Sequence, residues 1–254
     1  MANTYFQFKQ FIVHQEQTAM KVCTDACLFG AWVANDISSS KNEAQKSINS
    51  IVDIGTGTGL LSLMLAQATS MHKSPTKITA IEIEPNAASE AETNFKASPW
   101  NDRIEIIHDA VQNFTKTRVE KFDCVITNPP FYEGELQSPD AQKSLASHST
   151  ALPWETLINE VKNLLKEEGY YYVLVPALRA YTMQKLAAQN ELQLMEEVVV
   201  YNAAKQKPFR VFQKYKHSSI NNNEIKRSNI IIKNELNEYT QGFKNLLAPY
   251  YLHL

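Results

Sequence analysis

The chain has 254 residues, a formal net charge of −2, three cysteines, only seven glycines and a hydrophobic fraction of 44%. That is enough apolar material for a sizeable core in one large domain or two small ones. No run of about 18 apolar residues occurs, which excludes a membrane-spanning helix. Residues 1–7 lack the charged start and apolar core of a signal peptide, so the cytoplasm is the expected compartment. Cys23, Cys27 and Cys124 are too few and too odd in number for a disulfide framework. Cys23 and Cys27 lie four apart without a second pair at matching spacing, so no metal is expected.

The polar stretches Ser38 to Ser47 and His217 to Asn223 read as loops. Met20 to Trp32 reads as a loop leading into a helix, with Thr24 at its N-cap. The first of the polar loops is followed by a βαβ rhythm. Strands are expected at Ile48 to Ile54, Lys77 to Ile83, Ile104 to Ile107 and Phe122 to Thr127, the last stopped by Asn128-Pro129-Pro130. Helices are expected at Leu60 to Ala68 and Pro85 to Lys96, with Pro85 well placed in a first turn. A further helix runs from Pro153 to Glu167 and ends at Gly169, followed by the strand Tyr170 to Val175. Arg179 to Gln189 is helical, and Leu192 to Tyr201 and Arg210 to Lys216 are strands. The whole predicts a doubly wound α/β fold with a mostly parallel seven-stranded sheet. A short loop separates the last two strands, which makes them an antiparallel pair.

Three of the seven glycines stand together in Asp53-Ile54-Gly55-Thr56-Gly57-Thr58-Gly59-Leu60. A tight turn there lets backbone approach a ligand at the carboxyl end of a strand. A nicotinamide fingerprint needs its third glycine at position 60, which is Leu60. Asp53, two residues before the first glycine, suits a ligand that carries an ammonium group and disfavours a pyrophosphate. Glu82 lies 25 residues beyond Gly57, close to the spacing at which an acid grips ribose hydroxyls. Asp109, followed by Ala110, comes after the third strand. Three acids at three successive strand ends line one crevice. The pattern resembles the class I S-adenosylmethionine-dependent methyltransferases. That resemblance gives the methionine part of the donor to the turn at Gly55, Thr56, Gly57 and Gly59, the ribose to Glu82, and the adenine to Asp109 and Ala110.

Asn128-Pro129-Pro130-Phe131 follows the fourth strand. An exocyclic base amine is a poor nucleophile because its lone pair is delocalised into the ring. The Asn128 side-chain oxygen and the Pro129 carbonyl are suited to accept its two N–H bonds, which frees that lone pair. Pro129 and Pro130 stiffen the acceptors, and Phe131 offers a face for a flipped-out base. Amino-methyltransferases of adenine, guanine and protein glutamine share the motif. Phe131, where the glutamine enzymes usually carry Tyr, favours a nucleobase. His148 is expected to be a surface or loop-packing residue, because the reaction needs no strong base.

Phe6-Gln7-Phe8-Lys9-Gln10-Phe11, the segment Lys21-Val22-Cys23-Thr24-Asp25-Ala26-Cys27-Leu28-Phe29-Gly30-Ala31-Trp32, Asn128-Pro129-Pro130-Phe131 and the ending Leu246 to Leu252 together resemble the bacterial tRNA1(Val) (adenine(37)-N6)-methyltransferases. The resemblance covers nearly the whole chain. It implies N6-methylation of an adenine in tRNA with S-adenosylmethionine as donor, and places Lys21, Thr24 and Asp25 near the methionine end of that donor. A single methyltransferase domain over 1–254 is expected, and a monomer is assumed. Residues 1–47 would then flank the donor and substrate, 48–216 form the Rossmann-like core, and 217–254 supply a C-terminal strand and helix.

Charge is uneven along the chain. Between Asn202 and Lys233 eight basic residues face the single acid Glu224, while the remainder of the chain carries −9. Such a stretch reads as a polyanion-binding face or as a lysine-rich strand edge. The family resemblance makes it the tRNA face, with Lys207, Arg210 and Lys214 as the expected phosphate contacts. A guanine-N2 methyltransferase of rRNA, a protein-glutamine methyltransferase and a non-catalytic RNA-binding protein on the same fold are the alternatives.

Overall fold

The computed structural model describes residues 3–38, 48–71, 75–130, 152–217 and 224–254. The expected features at Phe131 and His148, and most of the polar loops, lie outside these residues.

Among the described residues the chain begins with a small antiparallel hairpin, β1 (Tyr5–Gln7) and β2 (Ile12–His14), followed by helix α1 (Thr24–Ser38). Thr24 is the first residue of that helix rather than its cap. The βαβ run comprises β3 (Ser50–Ile54), α2 (Leu60–Ala68), β4 (Lys77–Glu82), α3 (Pro85–Lys96), β5 (Ile104–His108), α4 (Val111–Thr117) and β6 (Phe122–Thr127). Then come α5 (Trp154–Leu164), β7 (Leu165–Pro176), a 3-10 turn, α6 (Ala180–Ala188), β8 (Leu192–Ala203), β9 (Arg210–His217), β10 (Lys226–Lys233) and α7 (Gln241–Leu247).

The sheet has eight strands in the order β10-β8-β9-β7-β6-β3-β4-β5. Only β9 runs against the others, inserted between β7 and β8. The expected count of seven is therefore short by one strand. Lys226–Lys233 adds to the edge in parallel with β8, and its Ile232 packs into the core. The charges fit that register, since Lys226 pairs with Glu196 at 2.9 Å and Arg227 sits 3.7 Å from Glu197.

Both faces of the sheet are covered, which explains why β3 and β6 are buried without alternation. One core joins α1, α2, α3 and α7 to the sheet through residues such as Leu28, Met64, Phe95 and Phe243. The other joins α4, α5 and α6 through Phe114, Leu157 and Met183. The N-terminal hairpin docks on the first face, where Phe8 stacks on Phe11 at 4.5 Å and bridges to Tyr251.

Gly169 does not end a helix. Helix α5 stops at Leu164 and β7 starts at once, with a bulge that opposes Leu165 and Tyr170 to Phe122 and Cys124. Lys166 holds this bulge by its ion pair with Asp123 at 2.9 Å. A Cβ on Gly169 would meet the Lys166 carbonyl oxygen at 2.9 Å, so the bulge excludes a side chain there.

Strand order reverses between β3 and β6: β4 and β5 extend to one side of β3, β6 and β7 to the other. In open parallel sheets the crevice outside the carboxyl ends at such a point is where ligands bind. Asp53, the glycine turn, Glu82, Asp109 and Asn128 all lie along that edge.

Candidate active site

The turn after β3 takes a left-handed course, with φ of +71° at Gly55, +57° at Gly57 and +83° at Gly59. Only glycine adopts such values without strain. The three positions differ in their surroundings. A Cβ on Gly59 would strike the Phe95 ring at 2.4 Å, so this glycine serves helix packing. A Cβ on Gly55 or Gly57 would meet nothing within 4 Å, which leaves open space beside the backbone.

Glu82 braces the turn from the next strand. Its Oε2 accepts the Gly57 N–H at 2.8 Å, and its Oε1 accepts the N–H groups of Ile83 and Glu84 at 2.9 and 3.0 Å. The carboxylate is fixed in place with acceptor capacity to spare on Oε2.

Asp53 is fully buried behind the turn rather than exposed to a ligand. Its Oδ2 accepts from Thr56 Oγ1 at 2.6 Å and Ser62 Oγ at 2.8 Å, while Oδ1 has no partner among the described residues. Burial pushes its pKa up to about 6, against the opposing hydrogen bonds from Thr56 and Ser62.

Asp109, half-buried, turns back on its own segment. Its Oδ1 accepts from the Ala110 N–H at 2.7 Å and Asn113 Nδ2 at 2.9 Å, which starts α4. At the end of β6, Thr127 Oγ1 ties to the Ile54 carbonyl at 2.9 Å and holds β6 beside the glycine turn. Asn128 follows, and its Oδ1 is buried without a hydrogen-bond partner among the described residues. Pro129 is buried behind it and Pro130 is exposed. A buried amide oxygen with no partner costs stability unless a donor arrives from elsewhere.

The methyltransferase small domain family matches residues 21–213. A curated protein of Dyadobacter fermentans named tRNA1(Val) (adenine(37)-N6)-methyltransferase is 36% identical over 98% of both chains. One of the same name from Bacteroides thetaiotaomicron is 35% identical over the full length of both. The chain belongs to the tRNA1(Val) (adenine(37)-N6)-methyltransferase family. Among solved structures, an Agrobacterium tumefaciens protein described as a predicted O-methyltransferase superposes with a TM-score of 0.64 at 15% identity, over 88% of this chain and 95% of its own. An O-methyltransferase from Bacillus cereus gives 0.53 at 12% identity, over 79% and 84%. These share the class I methyltransferase fold.

The front segment of this family member reaches the same edge. Asp25 in the first turn of α1 pairs with Arg210 at the start of β9 at 2.7 Å, and Arg210 lies opposite Pro176 at the carboxyl end of β7. Thr24 is exposed beside it, and Lys21 donates its ammonium to the Gln15 carbonyl.

The structure corrects the basic face. Lys214 is buried on β9, bonded to Asp36 at 2.6 Å, with its ammonium 4.4 Å from the Tyr170 ring centroid. It cannot reach a phosphate without abandoning Asp36. Arg210 is likewise engaged by Asp25, and Lys205 and Lys216 pair with Glu235 and Glu168. Lys207 is exposed on the β8–β9 hairpin. Because β9 runs antiparallel, that hairpin emerges at the carboxyl edge.

Two residues that organise the site escaped the sequence reading. Asn94 Nδ2 donates to the carbonyls of His14 and Thr58, both at 2.9 Å, and so joins β2 to the glycine turn. Glu90 accepts the backbone N–H groups of Glu16, Gln17 and Thr18 and holds the loop that leads to Lys21. The signal was present: Ala87, Glu90, Ala91 and Asn94 form one stripe on α3, and polar residues on a buried stripe demand partners. Among the described residues, no cluster of His, Cys, Asp or Glu is suited to hold a metal ion.

Proposed function

We propose that this chain transfers a methyl group from S-adenosylmethionine to N6 of adenine 37 in tRNA1(Val), the reaction that names its relatives. The observation that carries the reading is the buried Oδ1 of Asn128, without a hydrogen-bond partner among the described residues, at the carboxyl end of β6 beside the glycine turn. An exocyclic amine is a donor that would satisfy it.

The residues present fit the donor. Gly55 and Gly57 leave room that a Cβ would fill, and Glu82 keeps an acceptor for a ribose hydroxyl. Gly55, Thr56, Gly57, Glu82, Asp109 and Ala110 would hold S-adenosylmethionine, with Lys21, Thr24 and Asp25 toward its methionine end, while Gly59 lets the turn pack on Phe95. Asp53 acts from behind, through Thr56 and Ser62, and so shapes the turn. When bound, S-adenosylmethionine supplies an electrophilic methyl group on a sulfonium.

The chain's own contribution is positioning. Asn128 Oδ1 and the Pro129 carbonyl accept the two N–H bonds of the adenine amine, which localises its lone pair. Pro129 and Pro130 fix both acceptors, and Phe131 offers a stacking face. Lys207, on the hairpin at the same edge, meets phosphate. The chain is proposed to act as a monomeric single domain in the cytoplasm; no described helix is long and apolar enough to cross a membrane.

The test is transfer of a radiolabelled methyl group to total RNA, followed by digestion to nucleosides. Label in N6-methyladenosine is expected. Label in N2-methylguanosine would overturn the choice of base.

A further inference from the structure

A cleft of about 540 Å³ opens on the same edge of the sheet, beyond β7, and is lined by Asp25, Asn202, Phe209, Lys233 and Tyr239 among others. Its size is that of a site for one small planar group. Both rings are pinned. The Phe209 backbone donates to Val200 and accepts from Ala177, and the Arg210 guanidinium lies 5.3 Å from its ring centroid. Tyr239 is stacked on Phe243 at 4.4 Å and 17°. Pinned aromatic faces lose little entropy when a flat ligand stacks on them.

The polar groups complete the picture. The exposed Asn202 amide both donates and accepts, as a base edge does. Lys233 stands 5.8 Å from the Tyr239 ring, and the hairpin 204–209 beside the cleft carries exposed Lys207 and Lys205, the latter paired with Glu235. Aromatic faces, an amide and a basic rim are the chemistry of single-stranded nucleic-acid sites. β9, β8 and β10 stand two, three and four places from β6 in the sheet. At about 4.8 Å per strand, the cleft lies roughly 10–20 Å along the edge from Asn128, a few nucleotides of single strand away.

We propose that this cleft binds an unpaired base of the substrate RNA, a few nucleotides from the methylated one, with Phe209 and Tyr239 as its stacking surfaces. The inference rests on the reading of the substrate as RNA. It adds a second point of attachment, which would set the register of the strand at Asn128.

The test reads RNA binding rather than methylation. Fluorescence anisotropy compares the wild-type protein with Phe209→Ala and Asn202→Ala on a tRNA1(Val) anticodon stem-loop. The loop is used intact and with a single abasic site placed in turn at each position. Phe209→Ala is expected to weaken binding about 10- to 100-fold. One abasic position other than adenine 37 should cause a similar loss, and combining it with Phe209→Ala should add nothing further. Calorimetric affinity for S-adenosylmethionine should be unchanged. Phe209→Leu, which keeps apolar bulk and removes the ring, covers the case in which the alanine variant fails to fold. Independent, multiplying losses at every position, or none from Phe209→Leu and Asn202→Ala, would overturn the cleft as a base site. N6-methyladenosine formed without such coupling sinks the cleft alone; coupling with methylation at guanine sinks only the choice of base.

Discussion

The Gly57 N–H donates to the Oε2 of Glu82 over 2.8 Å, so the acid expected to grip the ribose also holds the glycine turn against β4. The same carboxylate accepts two further backbone N–H groups, from Ile83 and Glu84. The shape of the turn and the placement of the acid are therefore one arrangement.

Glu82→Gln replaces one acceptor oxygen by a donor that faces backbone N–H. Loss of a charge-assisted bond at this point should weaken binding of S-adenosylhomocysteine about 10- to 100-fold. Isothermal titration calorimetry checks it; unchanged affinity would separate Glu82 from the donor site.

The glycines should divide by effect. Gly59→Ala combines a φ of +83° with the contact to Phe95 at 2.4 Å. It should cost about 3 kcal/mol of stability. Gly57→Ala meets open space and should cost about 1 kcal/mol of backbone strain, yet reduce donor affinity. Denaturant melts beside calorimetry distinguish the two.

Asp53 makes stability depend on pH with a definite sign. Its folded pKa of about 6 lies above the ordinary carboxylate value, so the folded state holds the proton more tightly than the unfolded chain. Its contribution is greatest below about pH 4 and is lost as pH rises through about 6, a change of roughly 2–3 kcal/mol. Asp53→Asn should flatten this part of the stability profile. Urea melts between those limits decide it, and an unaltered profile in the variant would refute the assignment.

Asn128→Ala should leave donor binding intact and reduce methyl transfer at least about 100-fold. Single-turnover assays with saturating donor measure the second quantity, calorimetry the first. Loss of donor binding in this variant would reverse the roles given to the two halves of the crevice.

Lys214 and Lys207 should part company. Lys214→Met strands the half-buried Asp36 carboxylate, which also accepts from Tyr172 at 2.6 Å, and should destabilise the fold by about 2 kcal/mol. Its salt dependence of tRNA binding should match the wild type. Lys207→Ala should leave the melt alone and lower the salt slope by about one.

Much of this molecule can be read from its residues. Leu60–Ala68, Pro85–Lys96 and Phe122–Thr127 appear as expected, because their apolar periods and caps agree with their tertiary surroundings. Glu84 shows why: its side chain caps α3 by accepting from Asn86 and Ala87, while Pro85 fills the first turn. Lys166 and Glu167 read as the end of a helix because both are good helix formers, but Asp123, far away in sequence, pairs with Lys166 and draws the segment into a bulge. The basic stretch misled for the same reason. A charge count over 202–233 cannot see Asp25, Asp36, Glu168, Glu196 or Glu235, which neutralise most of it across the fold. Asp53 was placed at the correct strand end, but its facing, inward rather than toward a ligand, depends on Thr56 and Ser62 closing over it.

The two ends of the described chain are stitched together. Lys9 donates to the Ala248 carbonyl across 239 positions, Gln67 reaches the Pro249 carbonyl, and Phe8 bridges to Tyr251. Through Asn94 the same N-terminal segment rests on the glycine turn. Contacts between such distant positions close the largest loop in the chain and are slow to form. During synthesis the contacts of Lys9, Gln67 and Phe8 with residues 248–251 therefore form only once that segment has left the ribosome. A nascent chain with its sheet already assembled would hold its N-terminal segment through Asn94 and Glu90, and would gain the stitch to 248–251 last.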